Sequence, residues 1–257
     1  MPLPSSRRAS ADSSTAASAA SATSDASATS AARAYRDVLR AAAEDAALRK
    51  GERTALRIRW AACELLEQVS LNALKVQDIC AHLGIAQGTL YQYFADRDSL
   101  LQTLLLDFVA FLRERMEAST QGSSGPEESA QRATRAYCEL FAGNTGLMKC
   151  LLNHYEAFPE AKSILSEFNR GWTETIVRSV KKHRAARGMP ASGVPRTSDA
   201  ELRRRVYALG GMVDQYLSWI YLGGDAHVAT VAGDLDAMVN TLNFIWQQAL
   251  RSEFAAR

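Results

Sequence analysis

The spacing of apolar residues on either side of Gly84 constrains the fold of this chain more than any other feature. Four residues before it follow the i, i+3, i+4, i+7 pattern of one helix face: Val76, Ile79, Cys80 and Leu83. Gly84 comes directly after them, where a helix often ends in a left-handed residue and glycine meets no side-chain clash. A second short helix begins near Gln87 and is anchored by Leu90 and Phe94. The pattern predicts a helix-turn-helix.

Helical periodicity extends over most of the remaining chain, and no segment of the sequence shows the alternation expected of a strand. The longer helices are predicted at about 97–118, 127–143, 145–157, 160–187, 199–222 and 235–254. We therefore predict an all-α fold, in which an N-terminal three-helix domain precedes a larger helical domain.

Residues 1–34 consist mostly of Ala, Ser and Thr, with few large apolar side chains. Such a segment buries too little surface to offset the entropy of ordering, so we predict a disordered tail. A Ser-rich start that contains arginines is also typical of an organelle transit peptide, but Asp12 and Asp25 favour the tail.

Composition predicts a soluble protein in a reducing compartment. Apolar residues make up 47% of the chain, and no apolar run reaches the roughly 18 residues of a membrane span. No Cys-x-x-Cys pair is present, and the cysteines lie within apolar helical patterns: Cys63, Cys80, Cys138 and Cys150. This placement favours small core residues over disulfides or ligands. We predict no metal and no cofactor.

The net charge of +2 comes entirely from residues 49–97, which carry seven basic and five acidic side chains. Most of the basic ones form a short arm: Arg49, Lys50, Arg53, Arg57 and Arg59. The arm is either a solvated helix face or a segment that reaches a DNA backbone or minor groove.

Polar and aromatic side chains lie on the outward face of the second short helix: Gln87, Thr89, Tyr91, Gln92 and Tyr93. Gly88 allows close approach to a phosphate, and Arg97 follows at the start of the next helix. Such a helix suits a major groove, where phosphate contacts set register and base contacts set sequence. The alternative is an ordinary helical hairpin with a tyrosine-rich packing surface.

These residues resemble the TetR/AcrR family of bacterial regulators over about residues 53–105. The resemblance is carried by Ala61-Ala62, Leu65-Leu66, Asp78-Ile79, Leu83-Gly84-Ile85, Gly88-Thr89-Leu90-Tyr91-Gln92-Tyr93-Phe94 and Arg97-Asp98-Ser99-Leu100-Leu101. A weaker likeness falls at Leu209-Gly210-Gly211 and Trp219-Ile220. The resemblance implies a DNA-binding domain at 51–98 and an effector-binding and dimerisation domain at 99–257, after a tail and basic arm at 1–50.

The resemblance also implies roles for single residues. Those that match Thr89 and Tyr93 hold phosphates in the family, and the one that matches Arg97 contacts the DNA backbone. Other matching positions face the groove. The DNA-binding residues expected here are Lys75, Gln77, Gln87, Gly88, Thr89, Tyr91, Gln92, Tyr93 and Arg97.

Three positions depart from the family pattern. Lys75 and Ala86 stand where the family has Thr or Ser caps, and a lost cap typically costs ~1 kcal/mol. Ser70 replaces a common Gly, so the turn between the first two helices is expected to differ. Lys75 offers a phosphate contact in place of a cap.

Apolar stripes on the last two long helices predict a homodimer interface. The stripe residues are Leu209, Val213, Leu217, Ile220, Leu235, Met238, Leu242, Ile245 and Trp246. Gly210 and Gly211 in mid-helix cost ~1 kcal/mol each relative to Ala, which a close helix approach would explain. The family resemblance implies a four-helix bundle formed by two copies, but these helices also suit the core of their own domain.

The intervening helices mix aromatic, sulfur-containing and polar side chains, a composition typical of ligand pockets. Candidate ligand-binding residues are Phe108, Phe111, Tyr137, Met148, Asn153, His154, Trp172 and Tyr216, each of which also suits an ordinary core or surface. Asp214 or Glu156 would supply a charge for the ligand. The sequence contains no phosphate loop, nucleophile elbow or paired carboxylates, so we predict no catalytic residues and no enzyme.

We predict a cytoplasmic transcriptional regulator that is nucleoid-associated when bound to double-stranded DNA. It is expected to repress from a near-palindromic operator until an apolar or amphipathic small molecule releases it. The alternatives are an effector-independent architectural DNA-binding protein and, less favoured, an all-α carrier or enzyme.

Overall fold

A computed structural model describes residues 34–153, 158–186 and 197–254. Within these ranges the chain forms eleven helices and no strand. The helices are α1 (Tyr35–Glu44), α2 (Lys50–Leu66), α3 (Val76–Leu83), α4 (Gln87–Tyr91), α5 (Arg97–Ser119), α6 (Pro126–Gly143), α7 (Thr145–Asn153), α8 (Pro159–Ala186), α9 (Asp199–Tyr221), α10 (Ala226–Ala232) and α11 (Leu235–Phe254). The predicted all-α fold is confirmed, whereas the predicted tail lies almost entirely outside the described residues.

Helices α1 to α4 form an N-terminal unit built around α2. The inner face of α2 contributes Ile58, Ala61 and Ala62 to the core, and each of these is fully buried. Helix α3 ends at Gly84 with φ 64° and ψ 36°, the left-handed conformation that the sequence predicts. Leu90 is fully buried after the turn, so a shared core holds α3 and α4 together.

Helix α5 leaves the N-terminal unit and runs through the larger domain. The Asp96 carboxylate caps its start by accepting a 2.7 Å hydrogen bond from the backbone N–H of Ser99. The Ser99 hydroxyl in turn accepts a 3.1 Å hydrogen bond from the backbone N–H of Asp96, which completes a capping box. The buried residues of α5 are Leu100, Leu101, Leu104, Leu105, Phe108, Val109, Phe111, Leu112 and Met116. Because they cover much of its circumference, α5 is the central helix of the domain.

Helices α6 to α11 surround α5. The main core is continuous with that of the N-terminal unit. A smaller core lies farther out and is formed by Val177, Val180, Leu202, Val206 and Leu250. Members of both cores line one cavity, described below. The short helix α10 is absent from the sequence prediction.

The four cysteines are free and buried, and burial raises the pKa of the Cys138 and Cys150 thiols to about 12. Across the described ranges, no helix is both long enough and apolar enough to cross a membrane. In the same ranges, His, Cys, Asp and Glu side chains do not gather in groups of three or more that would hold a metal ion.

Candidate DNA interface and ligand cavity

The surface around α4 carries the residues expected to contact DNA. Exposed members are Lys75, Gln77, Gln87, Gly88, Tyr91 and Gln92, and half-buried members are Thr89, Tyr93 and Arg97. The Tyr91 side chain is 49% exposed, whereas its neighbour Leu90 is fully buried. Helix α4 is therefore held by its apolar side and presents its polar side to solvent.

The two helices of the motif begin without side-chain caps. Lys75 before α3 and Ala86 before α4 have extended backbones, and neither side chain accepts a hydrogen bond from its helix. This confirms the two cap losses expected from the sequence.

Arg97 is held by neighbouring groups in the free protein. Its Nε donates a 3.0 Å hydrogen bond to Asp98 Oδ1, and its Nη1 lies 3.5 Å from the carbonyl oxygen of Leu71. A DNA phosphate that binds Arg97 would therefore compete with the exposed Asp98 carboxylate for the guanidinium.

The basic arm divides between two surfaces. Arg49, Lys50 and Arg57 are exposed. Arg59 instead pairs with Asp107 of α5, and only 18% of its side chain is exposed. Arg59 thus connects α2 to α5 and does not belong to the exposed part of the arm.

A second contact joins the N-terminal unit to the larger domain at the end of α2. Glu67 Oε2 accepts hydrogen bonds from Thr145 Oγ1 at 2.7 Å and from the backbone N–H of Gly146 at 3.2 Å. Arg36 Nη1 lies 3.5 Å from the other carboxylate oxygen of Glu67. A carboxylate at the start of α7 also interacts favourably with the helix dipole. We call this contact of Arg36, Leu66, Glu67, Thr145 and Gly146 the junction.

Two further features show how closely the junction is packed. The backbone N–H of Tyr35 donates a 2.7 Å hydrogen bond to Asn144 Oδ1, and Asn144 is 1% exposed. A Cβ atom added to Gly146 would lie 2.5 Å from the carbonyl oxygen of Leu66. The backbones of α2 and α7 therefore meet at a distance that only glycine permits.

A partly open cavity of about 1240 Å³ lies among α5, α6, α8, α9 and α11. Its apolar lining includes Met116, Tyr137, Phe168, Trp172, Ile176, Val180, Val213, Trp246 and Leu250. Its ionisable lining consists of Glu117, Glu127, Glu128, His183, Asp214 and Arg251. This volume is somewhat above the range of about 300–1,000 Å³ that is usual for ligand pockets, and mixed walls of this kind can enclose an amphipathic molecule.

The structure brings only some of the predicted ligand-binding residues to this cavity. Tyr137 and Trp172 line it. The others among the described residues lie elsewhere: Phe108, Phe111, Met148, Asn153 and Tyr216. Phe108 and Phe111 pack against the Tyr35 ring, and Met148 is buried in the main core, because the start of α5 faces the N-terminal unit. His154 and Glu156 fall outside the described residues.

Asp214 is a carboxyl group in the cavity wall whose pKa is raised. It lies on α9, where Tyr137 Oη donates a 2.6 Å hydrogen bond to its Oδ1. Burial raises the pKa of Asp214 to about 6, although the hydrogen bond from Tyr137 acts in the opposite direction. Burial, together with the Asp214 charge, also raises the pKa of the Tyr137 phenol. When ionised, the Asp214 carboxylate can accept a further hydrogen bond.

Asn243 on α11 is a cavity residue that the sequence analysis missed. Its side chain is 8% exposed, and its Nδ2 has no hydrogen-bond partner among the described residues. An apolar stripe identifies helix faces but gives no sign of a polar residue turned towards a cavity, so the sequence offered no signal for it.

The predicted dimer stripe proves to be the inner face of α9 and α11. Its buried members are Leu209, Val213, Leu217, Met238 and Leu242, and its half-buried members are Ile220, Leu235, Ile245 and Trp246. Val213, Leu217 and Leu242 belong to the protomer's main core, which is the alternative that the sequence left open for these helices. Leu235 packs against that core, and Trp246 packs against the smaller core.

The outer faces of α9 and α11 carry a different set of apolar side chains. Trp219 is 54% exposed and Phe244 is 61% exposed. Gly211 is exposed on the same face, and no described atom lies within 4 Å of a Cβ atom added to it, whereas Gly210 is half-buried and lines the cavity.

Residues 58–104 match the profile of the family described as bacterial regulatory proteins, tetR family. No curated protein sequence matches the chain. A transcriptional regulator from Rhodococcus sp. RHA1 superposes with a TM-score of 0.60 at 15% identity, over 79% of this chain and all of the other. The fatty acid degradation regulator FadR from Bacillus halodurans gives 0.58 at 16% identity, covering 74% of this chain and 93% of its own. FadR from Bacillus subtilis, solved with stearoyl-CoA, gives 0.57 at 20% identity, covering 74% and 96%.

At these identities, the solved structures establish a shared fold and nothing more specific. The profile match covers α3, α4 and the turn between them, where the structure exposes the polar face of α4. The helix-turn-helix of this chain thus matches the tetR family in sequence, and its described part shares the fold of solved TetR-family transcriptional regulators.

Proposed function

We propose that the protein is a homodimeric repressor that a small amphipathic ligand, bound in the cavity, releases from DNA. The main support for this proposal is that α5 runs from the helix-turn-helix to the cavity. The helix begins at Arg97, directly after the motif, and Met116 and Glu117 near its other end line the cavity. At a rise of about 1.5 Å per residue, a helix of this length connects motif and cavity over roughly 34 Å.

On the DNA side, α4 enters the major groove with its exposed polar face. Gln92 reads a base edge, whereas Thr89 and Tyr93 hold phosphates, as the family resemblance implies. Arg97 exchanges its partner Asp98 for a backbone phosphate. Gln92 is exposed, and Thr89, Tyr93 and Arg97 keep part of their surface accessible, which supports such roles.

Two copies associate through the outer faces of α9 and α11. The exposed Trp219 and Phe244 supply apolar contact area, and the exposed Gly211 lets the partner helix approach closely. A two-fold dimer presents two identical α4 helices to successive major grooves, about one helical turn apart. The operator is therefore a near-palindrome, read in the cytoplasm on double-stranded DNA.

The ligand acts by binding one arrangement of the two domains better than the other. Movement of α5 changes the separation of the two α4 helices, so both no longer fit their half-sites. A coupling of ~1–3 kcal/mol, or roughly 5- to 150-fold in DNA affinity, is typical. The complex of Bacillus subtilis FadR with stearoyl-CoA supports an amphipathic ligand for a cavity in this fold.

Selection of bound sequences from random DNA tests the DNA-binding half of the proposal. The selected sites should contain an inverted repeat, and sites without one would contradict the symmetric dimer. A thermal-shift ligand screen, followed by operator titration with each hit, tests the second half. Stabilising ligands that all leave operator affinity unchanged would favour a regulator without an effector.

A further inference from the structure

We propose that the cavity takes an amphipathic cation, with Asp214 and Asn243 binding its polar end; this inference rests on the proposed function of the cavity as the effector site. The ligand has an apolar body, an ammonium group and a nearby hydrogen-bond acceptor.

Asp214 favours a ligand that carries a hydrogen-bond donor. Its Oδ1 already accepts the hydrogen bond from Tyr137, and within the described residues its Oδ2 has no hydrogen-bond partner. An ionised carboxylate only accepts hydrogen bonds, so the group that suits it is a donor. An ammonium group meets this need with a charge-assisted hydrogen bond, roughly twice as strong as a neutral one. An anionic head group is repelled at the same place.

Asn243 favours a ligand that carries a hydrogen-bond acceptor. It lies on α11 and lines the same cavity as Asp214, and its Nδ2 is buried without a partner in the described part of the chain. A buried polar group without a partner destabilises the folded state, so Asn243 has a reason to be there only if something accepts its hydrogen bond. A hydroxyl, ether or carbonyl oxygen on the ligand supplies that acceptor.

The rest of the lining favours positive charge. Glu117 and Glu127 add carboxylates to the wall, and Arg251 is its only guanidinium among the described residues. Glu128 contributes less, because Arg132 already pairs with it. Hydrogen bonds from Ser124, together with the one from Arg132, lower its pKa to about 2. The Trp172 and Trp246 rings also line the cavity, and aromatic faces attract cations.

Dodecyl probes that differ only in the head group test the assignment on the full chain. Binding of dodecylamine, 1-dodecanol and dodecanoate is measured by calorimetry at about pH 8, where the Asp214 carboxyl is ionised. Dodecylamine should bind roughly 10- to 100-fold more tightly than dodecanol, and dodecanoate most weakly. Asp214→Asn should remove the preference for the amine. Glu128→Gln should retain it and is the matched control, because that carboxylate lines the cavity but is already paired.

The acceptor is tested with 2-(dodecylamino)ethanol, which adds a hydroxyl beside the amine. It should bind more tightly than dodecylamine to the unaltered protein, and Asn243→Leu should abolish this gain.

Tighter binding of dodecanol or dodecanoate would overturn the cation assignment while leaving an effector cavity in place. An amine preference that survives Asp214→Asn would overturn the role of Asp214. Failure of every dodecyl probe would also overturn the assignment, and operator release by hits from the broader screen would then show separately whether the proposed function stands.

Discussion

Gly146→Ala should separate the N-terminal unit from the larger domain. The added Cβ would lie 2.5 Å from the carbonyl oxygen of Leu66, 2.6 Å from its carbonyl carbon and 2.8 Å from the backbone nitrogen of Glu67. All three atoms belong to the backbone at the end of α2, so no change of rotamer can relieve the contact. The two backbones must move apart.

The size of the effect follows from these distances. Ordinary contact begins near 3.4 Å, so the backbones must separate by about 0.9 Å in a core packed without spare volume. Overpacking of this kind typically destabilises a protein by ~1–3 kcal/mol. For a protein of this size, that corresponds to a Tm lower by roughly 2–12 °C. The same opening also stretches the bonds from Thr145 and Gly146 to Glu67.

Thermal unfolding and operator titration measure the two consequences. Gly171→Ala is the matched control, because its Cβ would meet only the end of the long Arg113 side chain, whose Nη2 would lie 3.3 Å away. Gly146→Ala should lower both Tm and operator affinity, whereas Gly171→Ala should leave operator affinity unchanged and should not lower Tm, because it replaces a mid-helix glycine. Glu67→Gln, which keeps the backbone intact but weakens the junction, should lower operator affinity in the same direction. If Gly146→Ala matches Gly171→Ala in both assays, the junction is not the rigid contact described here.

Three further predictions address the DNA surface, the dimer and the cavity. Arg97→Ala should weaken binding to all sequences alike and reduce the salt slope by about one, whereas Gln92→Ala should relax preference at one base pair by ~1–3 kcal/mol; quantitative DNA titration distinguishes them. Phe244→Glu should yield a folded monomer of 28.0 kDa by analytical ultracentrifugation, whereas Leu242→Glu should unfold the protomer because Leu242 is 1% exposed. The pKa of Asp214 is raised from 3.8 to about 6, so the folded state holds a proton that the unfolded state releases. As pH rises from 4 to 6, the free energy of unfolding should therefore fall by at most about 3 kcal/mol. Asp214→Asn should remove this fall in denaturation curves.

The helices were predictable because their signals are local. Gly84 ends α3 in the left-handed conformation that the sequence predicted, and the start of α9 at Asp199 matches the prediction. Helix α10 was missed because it has seven residues and buries only Ala232, which leaves no apolar period to detect.

The positions of the dimer surface and the cavity were harder to predict, because both depend on what lies opposite a helix face. Periodicity marked Leu217 and Leu242 as one-sided apolar residues, but it could not distinguish the protomer's own core from a partner's surface. Phe108 was assigned to a pocket because it is aromatic, but its position on α5 brings its ring into contact with the ring of Tyr35. Local patterns thus identified the buried faces without identifying their partners.

The contacts between the two domains limit how a ligand signal can reach the DNA. Helix α2 is attached at two places, to α5 through Arg59 and Asp107 and to α7 through Glu67. If α5 moves when the cavity fills, its ion pair with Arg59 draws α2 along, while the junction holds the end of α2 to α7. The N-terminal unit therefore cannot follow α5 freely: either α7 moves with it, or the bonds to Glu67 break. Weakening the junction should for this reason change ligand-induced release more than it changes ligand binding, because the cavity lining includes no residue of α2 or α7.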